Sequence, residues 1–245
     1  TIKIGFIMLL VLILLSLSIN GATSAQVFFG YAPRKVPIYC VDTSEKRVAI
    51  SFDAAWGADK TEDILAILDE FDVNATFFLV GFWVDEYGDI VKKIDEAGCE
   101  IGTHSNTHPD MVNLSKESIK EELTTSIEKI ESVTGKDVTL FRAPFGSYNN
   151  TLLDVTDELG LKTIQWDVDT LDWKGLSASE MNNRVVSKVK NGSIILMHNN
   201  SDNILDGLRL ILTTLQNKGY TIGCVSDLIY ADNYTIDRNG IQHTN

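Results

Sequence analysis

The sequence predicts an α/β fold of about seven parallel strands alternating with helices. Three observations predict it. Short runs rich in β-branched and aromatic residues alternate with longer stretches whose apolar residues recur at helical spacing, glycines follow several of the helical stretches, and no internal repeat interrupts the alternation. Such a chain forms either an open doubly wound sheet or a small closed barrel. Both architectures place their chemistry at the carboxyl ends of the strands.

The alternation runs from Arg47 to about residue 230, which we interpret as one domain. Strands are predicted at 48–52, 75–80, 100–103, 138–142, 161–166, 193–197 and 220–225. Helices are predicted at 60–71, 83–97, 115–133, 149–159, 177–190 and 203–217, four of them stopped by Gly98, Gly135, Gly160 and Gly219. The remaining residues, 231–245, are predicted to be a polar tail that frays.

The first 25 residues have the pattern of an export signal. Lys3 precedes an apolar run over 4–15 that continues to Ile19, and small residues lead to a cleavage position near Ala25. The run is short for a membrane span, which typically needs ~20 apolar residues, so a cleaved signal peptide and a retained anchor both remain open. In either case we expect an extracytoplasmic domain whose membrane contact is limited to this segment, followed by a lead-in segment at 26–46.

Composition excludes several classes of function. With 245 residues and 44% hydrophobic residues, the chain is large enough to bury a core without metal or disulfide staples. Lys and Arg number 21 against 34 for Asp and Glu, and the net charge of −13 argues against a nucleic-acid partner while permitting a neutral sugar polymer. The cysteines, Cys40, Cys99 and Cys224, form no CxxC pair and predict neither a disulfide framework nor a thiolate zinc site. We expect a monomer.

Residues whose side chains could take part in catalysis or ligand binding lie at or just after the predicted strand ends. Three of the four histidines are among them, and the fourth, His243, lies in the tail. The residues at these positions are Asp53, His104, His108, Arg142, Asp167, Asp169, Asp172, Trp173 and His198. Each has a plain structural alternative when taken singly: a turn cap, a surface ion pair, a core aromatic or a hydrogen-bonded histidine. Pro109 disfavours a helix at His108, so we place both motif histidines on a loop after a strand.

Five short segments contain these residues in a fixed order. They are SFDAAWG at 51–57, HSNTH at 104–108, RAPFG at 142–146, DTLDW at 169–173 and ILMH at 195–198. Together they resemble the five motifs of the polysaccharide deacetylase family, also called the NodB-homology or carbohydrate esterase family 4 domain, over residues 47–225. The SFDxxWG form of the first motif and the N-terminal hydrophobic segment look most like the PdaB-type sporulation branch of that family.

The resemblance implies a distorted (β/α) barrel and a metal-dependent hydrolase. Its substrate would be an N-acetylated glycan of the cell envelope, either peptidoglycan or a chitin-like polymer, from which it removes N-acetyl groups. The family pattern implies that His104 and His108 hold a divalent metal, usually zinc, that activates a water. It also implies that Asp53 is the base and that Arg142 pairs with it.

The same resemblance implies roles on the other side of the site. His198 would protonate the leaving amine, and Asp172 would hold and tune that imidazole. The backbone N–H of Phe145, which stands where the family usually has Tyr, would donate to the oxyanion. Trp173 and Leu196 would line the pocket for the acetyl methyl group.

Ala54 departs from the family pattern at the place where a second aspartate normally ligates the metal. An alanine cannot coordinate, so His104 and His108 alone should hold zinc weakly. Two compensations are open: Asp53 could enter the metal sphere, or Asp59 or Asp110 could approach from a neighbouring loop. Two functions therefore remain open at this point. The chain is either a metal-dependent deacetylase or a glycan-binding relative with little or no turnover.

Overall fold

The computed structural model describes residues 33–244. The predicted export signal or anchor at 1–25 and the first part of the predicted lead-in segment, 26–32, lie outside the described residues. Within 33–244, no helix is both long enough and apolar enough to span a membrane.

One parallel sheet forms the centre of the fold. In the described residues its strands are β2 (Arg47–Ala54), β3 (Thr76–Leu79), β4 (Glu100–Thr103), β5 (Leu140–Phe141), β6 (Lys162–Thr163), β7 (Val168–Asp169), β8 (Ile194–His198) and β9 (Thr221–Gly223). They lie in the order β6-β5-β4-β3-β2-β8-β7, and β9 pairs with β2 through residues 47–49. All seven predicted strands are present, although β5, β6 and β9 are shorter than predicted, and β7 is an eighth that the sequence analysis missed.

The sheet curls into an incomplete barrel, which confirms the predicted fold class. Its end strands, β6 and β7, are not neighbours in the strand order. The lead-in segment lies at this gap: Ile38 forms a bridge to Ile164 after β6, and Cys40 forms one to Ser193 before β8. The described part of the lead-in segment contains a short strand, β1 (Cys40–Val41).

Side chains of β2 point alternately to the two faces of the sheet, so some belong to the apolar core and others to the site. Phe52 and Ala54 belong to the large apolar cluster that also contains the helices' buried faces. Ala49 belongs instead to a second cluster with Phe78 and Leu140, so its side of the strand faces the inside of the curled sheet. Ser51 and Asp53 alternate with the same period as Ala49, which brings Asp53 to the inner side at the carboxyl end of the strand.

Helices cover the outer face of the sheet. Those described are α1 (Thr61–Glu70), α2 (Gly81–Glu86), α3 (Gly88–Glu96), α4 (Lys116–Thr134), α5 (Asn150–Glu158), α6 (Ala178–Lys188), α7 (Ile204–Asn217) and α8 (Val225–Leu228). The single helix predicted at 83–97 is wrong. The chain breaks at Tyr87, whose φ of −121° and ψ of 37° are not helical, and two shorter helices result. Local signals fix other ends, since Ser177 and Glu180 form a capping box at α6 and Gly135 ends α4 with φ 68°.

The tail does not fray, contrary to prediction. Strands β10 (Tyr234–Ile236) and β11 (Ile241–Thr244) pair with each other, and β11 pairs in parallel with β1. Gln242 is fully buried and exchanges two 2.8 Å hydrogen bonds with the backbone of Tyr230. Because a buried amide with both partners satisfied is favourable, the polar composition of this segment does not make it loose.

Candidate functional site

The carboxyl ends of the strands open into a cleft of about 750 Å³. Its lining brings together residues from all five motifs, which are far apart in sequence. The predicted residues that line it are Asp53, His104, His108, Phe145, Asp172, Trp173, Leu196 and His198. Arg142, the remaining predicted residue, is fully buried beneath the cleft.

Asp53 and Arg142 form a buried ion pair. Arg142 Nη1 donates to Asp53 Oδ1 at 2.8 Å, while Nη2 donates to Ser51 Oγ at 2.9 Å and to the carbonyl of Gln165 at 3.2 Å. Burial alone would raise the pKa of Asp53, but the charge and hydrogen bond of Arg142 outweigh it and lower the pKa below its ordinary value. Asp53 is therefore held as a carboxylate with one oxygen paired and the other directed toward the cleft.

His104 is oriented by the backbone. Its Nδ1 lies 2.8 Å from the carbonyl oxygen of Arg142, so the neutral ring must carry its proton on Nδ1 and donate it there. Nε2 is left as an acceptor, 3.6 Å from Asp53 Oδ2. Burial lowers the pKa of His104 despite the nearby carboxylate, which favours the neutral ring.

His108 lies beside His104, with the two ring centroids 5.0 Å apart. Its backbone N–H donates to Ser105 Oγ at 3.0 Å. His108 thus lies on the loop after β4, as Pro109 predicted. Burial first, and then the neighbouring His104, lower the pKa of His108 to about 4. Both motif histidines are therefore neutral and able to bind a cation near neutral pH.

His198 and Asp172 form a second pair on the other side of the cleft. His198 Nδ1 lies 2.8 Å from Asp172 Oδ1, and the backbone N–H of His198 donates to Asp172 Oδ2 at 2.7 Å. Burial would lower the pKa of His198, but the hydrogen bond and charge of Asp172 dominate and raise it. A histidine with a raised pKa is protonated over more of the neutral range, which suits a proton donor.

We expect Asp172→Asn to lower the pKa of His198, because the amide removes the negative charge that stabilises the imidazolium. In the unmodified chain the protonated ring stabilises the fold fully below the unfolded histidine pKa of 6.5, and this contribution is lost as the pH rises through the higher folded value. The variant should lose that stabilisation. A histidine NMR titration measures the shift, with His243 as the internal reference. An unchanged His198 pKa would contradict the assignment of Asp172 as the tuning group.

The donor set does not fit a resident metal held by three protein side chains. Ala54 is 0% exposed and packed in the apolar cluster, where the resemblance implies a ligand. Neither loop carboxylate compensates: Asp59 is exposed near Tyr87, and Asp110 accepts from Asn113 Nδ2 at 2.9 Å while its Oδ1 stays buried without a partner. Among residues 33–244, no three His, Cys, Asp or Glu side chains are arranged to hold a metal ion.

Backbone strain concentrates at the cleft. Six described residues other than glycine have a positive φ, and four of them follow the strand ends that form the site: Ser105, His108, Phe145 and Leu171. Phe145 has φ 61° and ψ 4°, a left-handed conformation that is costly for a bulky aromatic residue. Strain of this kind persists where surrounding structure holds it, and it is most often found at active sites and ligand-binding loops.

Sequence reasoning missed several residues that build the site. Ser51 and Gln165 position Arg142, and Trp56 and Trp166 line the cleft. Ser51 could have been found from the two-residue period of β2, since it shares the inner side with Asp53. Trp56 stands inside the first motif, but nothing in the motif itself indicated where its ring lies.

The motif geometry agrees with a family model for polysaccharide deacetylases, which matches residues 41–164. This chain belongs to the polysaccharide deacetylase family. It is similar to the uncharacterized protein YlxY of Bacillus subtilis, which is 39% identical over 193 residues covering 79% of this chain and 60% of YlxY. It is also similar to the peptidoglycan-N-acetylmuramic acid deacetylase PdaA of the same organism, which is 30% identical over 202 residues covering 78% of this chain and 74% of PdaA.

A solved structure in the family is also similar. BA3943 of Bacillus anthracis, described as a pseudoenzyme of carbohydrate esterase family 4, has a TM-score of 0.77 and 36% sequence identity, covering 81% of this chain and 69% of BA3943. A BA3943 mutant with restored enzymatic activity matches with the same TM-score and 37% identity, covering 72% of that chain. The similar proteins thus include one named as a deacetylase and a pseudoenzyme for which a mutant with restored activity is described.

Proposed function

We propose that this chain is a glycan-binding member of the polysaccharide deacetylase family that hydrolyses its ligand poorly or not at all. Its ligand is an N-acetylated amino-sugar polymer of the cell envelope. The observation that carries the proposal is Ala54, buried and apolar where a metal-ligating carboxylate is expected, with no other described side chain in its place.

The cleft itself supports retention of a ligand. It remains open and large enough for a sugar unit, and its lining combines apolar surfaces with convergent polar groups. Buried ion pairs that serve no bound molecule are a poor source of stability, so a site that had lost its ligand would be expected to replace them with apolar residues. The similarity to the BA3943 pseudoenzyme, at 36% identity, is consistent with weak turnover.

A second candidate function is hydrolysis of the N-acetyl group, and two retained pairs favour it. Asp53, kept charged by Arg142, would accept the proton of an attacking water. His198, whose pKa is raised by Asp172, would donate a proton to the leaving amine. Peptidoglycan is the polymer named for PdaA, which is the reason to include it among the glycans tested.

The deciding experiment measures binding and turnover on the same full chain. We expect tetra-N-acetylchitotetraose to bind by calorimetry both with EDTA and after equilibration with zinc, with acetate release at background in both conditions. Trp173→Ala should weaken that binding, since the ring is 59% exposed at the cleft. Acetate turnover by the zinc-equilibrated chain would establish the hydrolase instead. Absence of binding by every N-acetylated glycan tested, peptidoglycan fragments included, would overturn the proposal.

The location and the biological role rest on sequence alone. We propose an extracytoplasmic domain, exported or held by the N-terminal apolar segment, because an envelope glycan is found only there. A sporulation role, which the resemblance to the PdaB-type branch implies, stays a prediction.

A further inference from the structure

We propose that Trp56 is a sugar-stacking residue, forming with Phe145 an aromatic platform over His108 that accepts a neutral pyranose ring. The inference rests on the proposed function, since it names the part of the cleft that holds the glycan and the kind of sugar held there. Of the two aromatic residues in the first motif, Phe52 is buried and Trp56 is exposed, and neither candidate catalytic pair uses Trp56.

The rings of Trp56 and Phe145 are unusually exposed to solvent. Four large hydrophobic residues of the described chain are exposed: Trp56 at 64%, Phe145 at 68%, Trp173 at 59% and Leu210 at 38%. The three aromatic ones all line the cleft, while Leu210 lies on α7 outside it. Exposed aromatic surface is costly in water, and its concentration around one concave opening is typical of a ligand-binding groove.

The rings have a defined arrangement. Trp56 and Phe145 each contact the ring of His108, at centroid distances of 4.9 and 4.8 Å with interplanar angles of 66° and 73°. Phe82 supports Trp56 at 6.5 Å. His108 thus lies between two steeply inclined aromatic rings that remain open to solvent. The C–H face of a pyranose ring packs well on such apolar faces, because it is the least polar surface of the sugar.

The loop that follows Trp56 is firmly anchored. The carbonyl of Gly57 accepts two hydrogen bonds, from Trp83 Nε1 at 2.8 Å and from Asn199 Nδ2 at 2.9 Å. Gly57 itself has φ 64°, a left-handed conformation that favours glycine. Because the loop is ordered before any ligand arrives, binding on Trp56 loses little conformational entropy.

Charge selects the kind of sugar. No lysine or arginine is among the described residues that line the cleft, whereas four aspartates are: Asp53, Asp169, Asp172 and Asp202. Asp53 and Asp172 are paired with Arg142 and His198, so the negative charge that a bound sugar meets comes from Asp169 and Asp202. A sugar with a carboxylate, such as N-acetylmuramic acid, would meet like charge there, and N-acetylglucosamine would not. The platform is therefore expected to prefer N-acetylglucosamine units over muramic acid units.

Calorimetry on the full chain with tetra-N-acetylchitotetraose tests the platform. Trp56→Ala should weaken binding roughly tenfold, while Trp56→Phe, which keeps a smaller ring, should stay within about threefold of the unmodified chain. Leu210→Ala is the matched control, an exposed hydrophobic residue outside the cleft whose loss should leave affinity unchanged. An N-acetylmuramic acid-containing tetrasaccharide should bind the unmodified chain about tenfold more weakly than the chitotetraose.

The outcomes separate this inference from the proposed function. If Trp173→Ala weakens binding and Trp56→Ala does not, the glycan cleft stands and the Trp56 platform is wrong. If the muramic acid glycan binds as well as the chitotetraose, the charge argument is wrong. If the unmodified chain binds neither, the proposed function fails first. Thermal unfolding of each variant checks the fold, which an exposed side chain at position 56 should not disturb.

Discussion

Ala54→Asp should give this chain a metal site and raise acetate release by about 100-fold or more. The substitution places a carboxylate next to Asp53, at the end of β2 where His104 and His108 already present neutral rings. A carboxylate with two imidazoles is a ligand set that zinc accepts, with a position left for water. The measurement is zinc stoichiometry after dialysis, together with acetate release from tetra-N-acetylchitotetraose.

Stability offers a readout of Ala54→Asp that does not depend on turnover. Position 54 is 0% exposed, so an unpaired carboxylate there should lower the melting temperature in EDTA. Zinc should raise the melting temperature again, because its binding stabilises the folded state by about 2.7 kcal/mol when its concentration is 100 times the dissociation constant. Ala75→Asp is the matched control, because it buries the same charge in the same apolar cluster but outside the cleft lining. If zinc changes neither the melting temperature nor the acetate rate of the Ala54→Asp variant, the missing-ligand explanation is wrong.

Arg142→Met should destabilise the fold by about 3–5 kcal/mol at pH 7, because it leaves Asp53 charged and buried without its partner. Arg142 also donates to Ser51 and Gln165, so these acceptors lose hydrogen bonds as well. Urea unfolding measures the change. The control is Arg209→Met: Arg209 pairs with Glu70 on the surface, where the side chain is 46% exposed, and the cost should stay within about 1 kcal/mol.

The pH dependence of Arg142→Met follows from the sign of the Asp53 shift. In the unmodified chain the lowered pKa of Asp53 stabilises the fold above the unfolded value of 3.8, and this contribution is lost as the pH falls through the lower folded pKa. Without Arg142, burial dominates and raises that pKa, so protonation relieves the buried charge as the pH falls. The deficit should therefore be smaller at pH 5 than at pH 7. An equal deficit at both would show that Arg142 acts by packing alone, against Phe78 at 4.2 Å.

Much of the site was predictable because the carboxyl ends of parallel strands lie at the same edge of the sheet. Asp53 and His198 are paired in register near the carboxyl ends of the adjacent strands β2 and β8, and the period of each strand is visible in the sequence. The outcome at Asp59 and Asp110 was not predictable. Whether a loop carboxylate reaches two histidines depends on its backbone path, and that path depends on contacts such as the one between Asp110 and Asn113.

The order of the tail and the exposure of Trp56 could not be predicted from the sequence either. Composition suggested that 231–245 would fray, yet the burial of one amide, Gln242, and pairing with β1 hold it in place. β1 lies near the other end of the described chain, so no local pattern indicates the pairing. The exposure of Trp56 likewise depends on Gly57 being held by Trp83 and Asn199, which lie on other parts of the fold.

The strand order also has a consequence for how the chain folds. β2 is the earliest strand of the parallel sheet in sequence, yet its neighbours include β8 and β9, among the last, and Ser51 and Ile195 hydrogen-bond across 144 positions. Contacts this distant require closure of a long loop before they gain any energy, which slows folding. Asp53 and His198 meet only after that closure. Ligand affinity should therefore appear late in refolding, together with the last cooperative step, and a nascent chain that has not yet exposed β8 has no binding cleft at all.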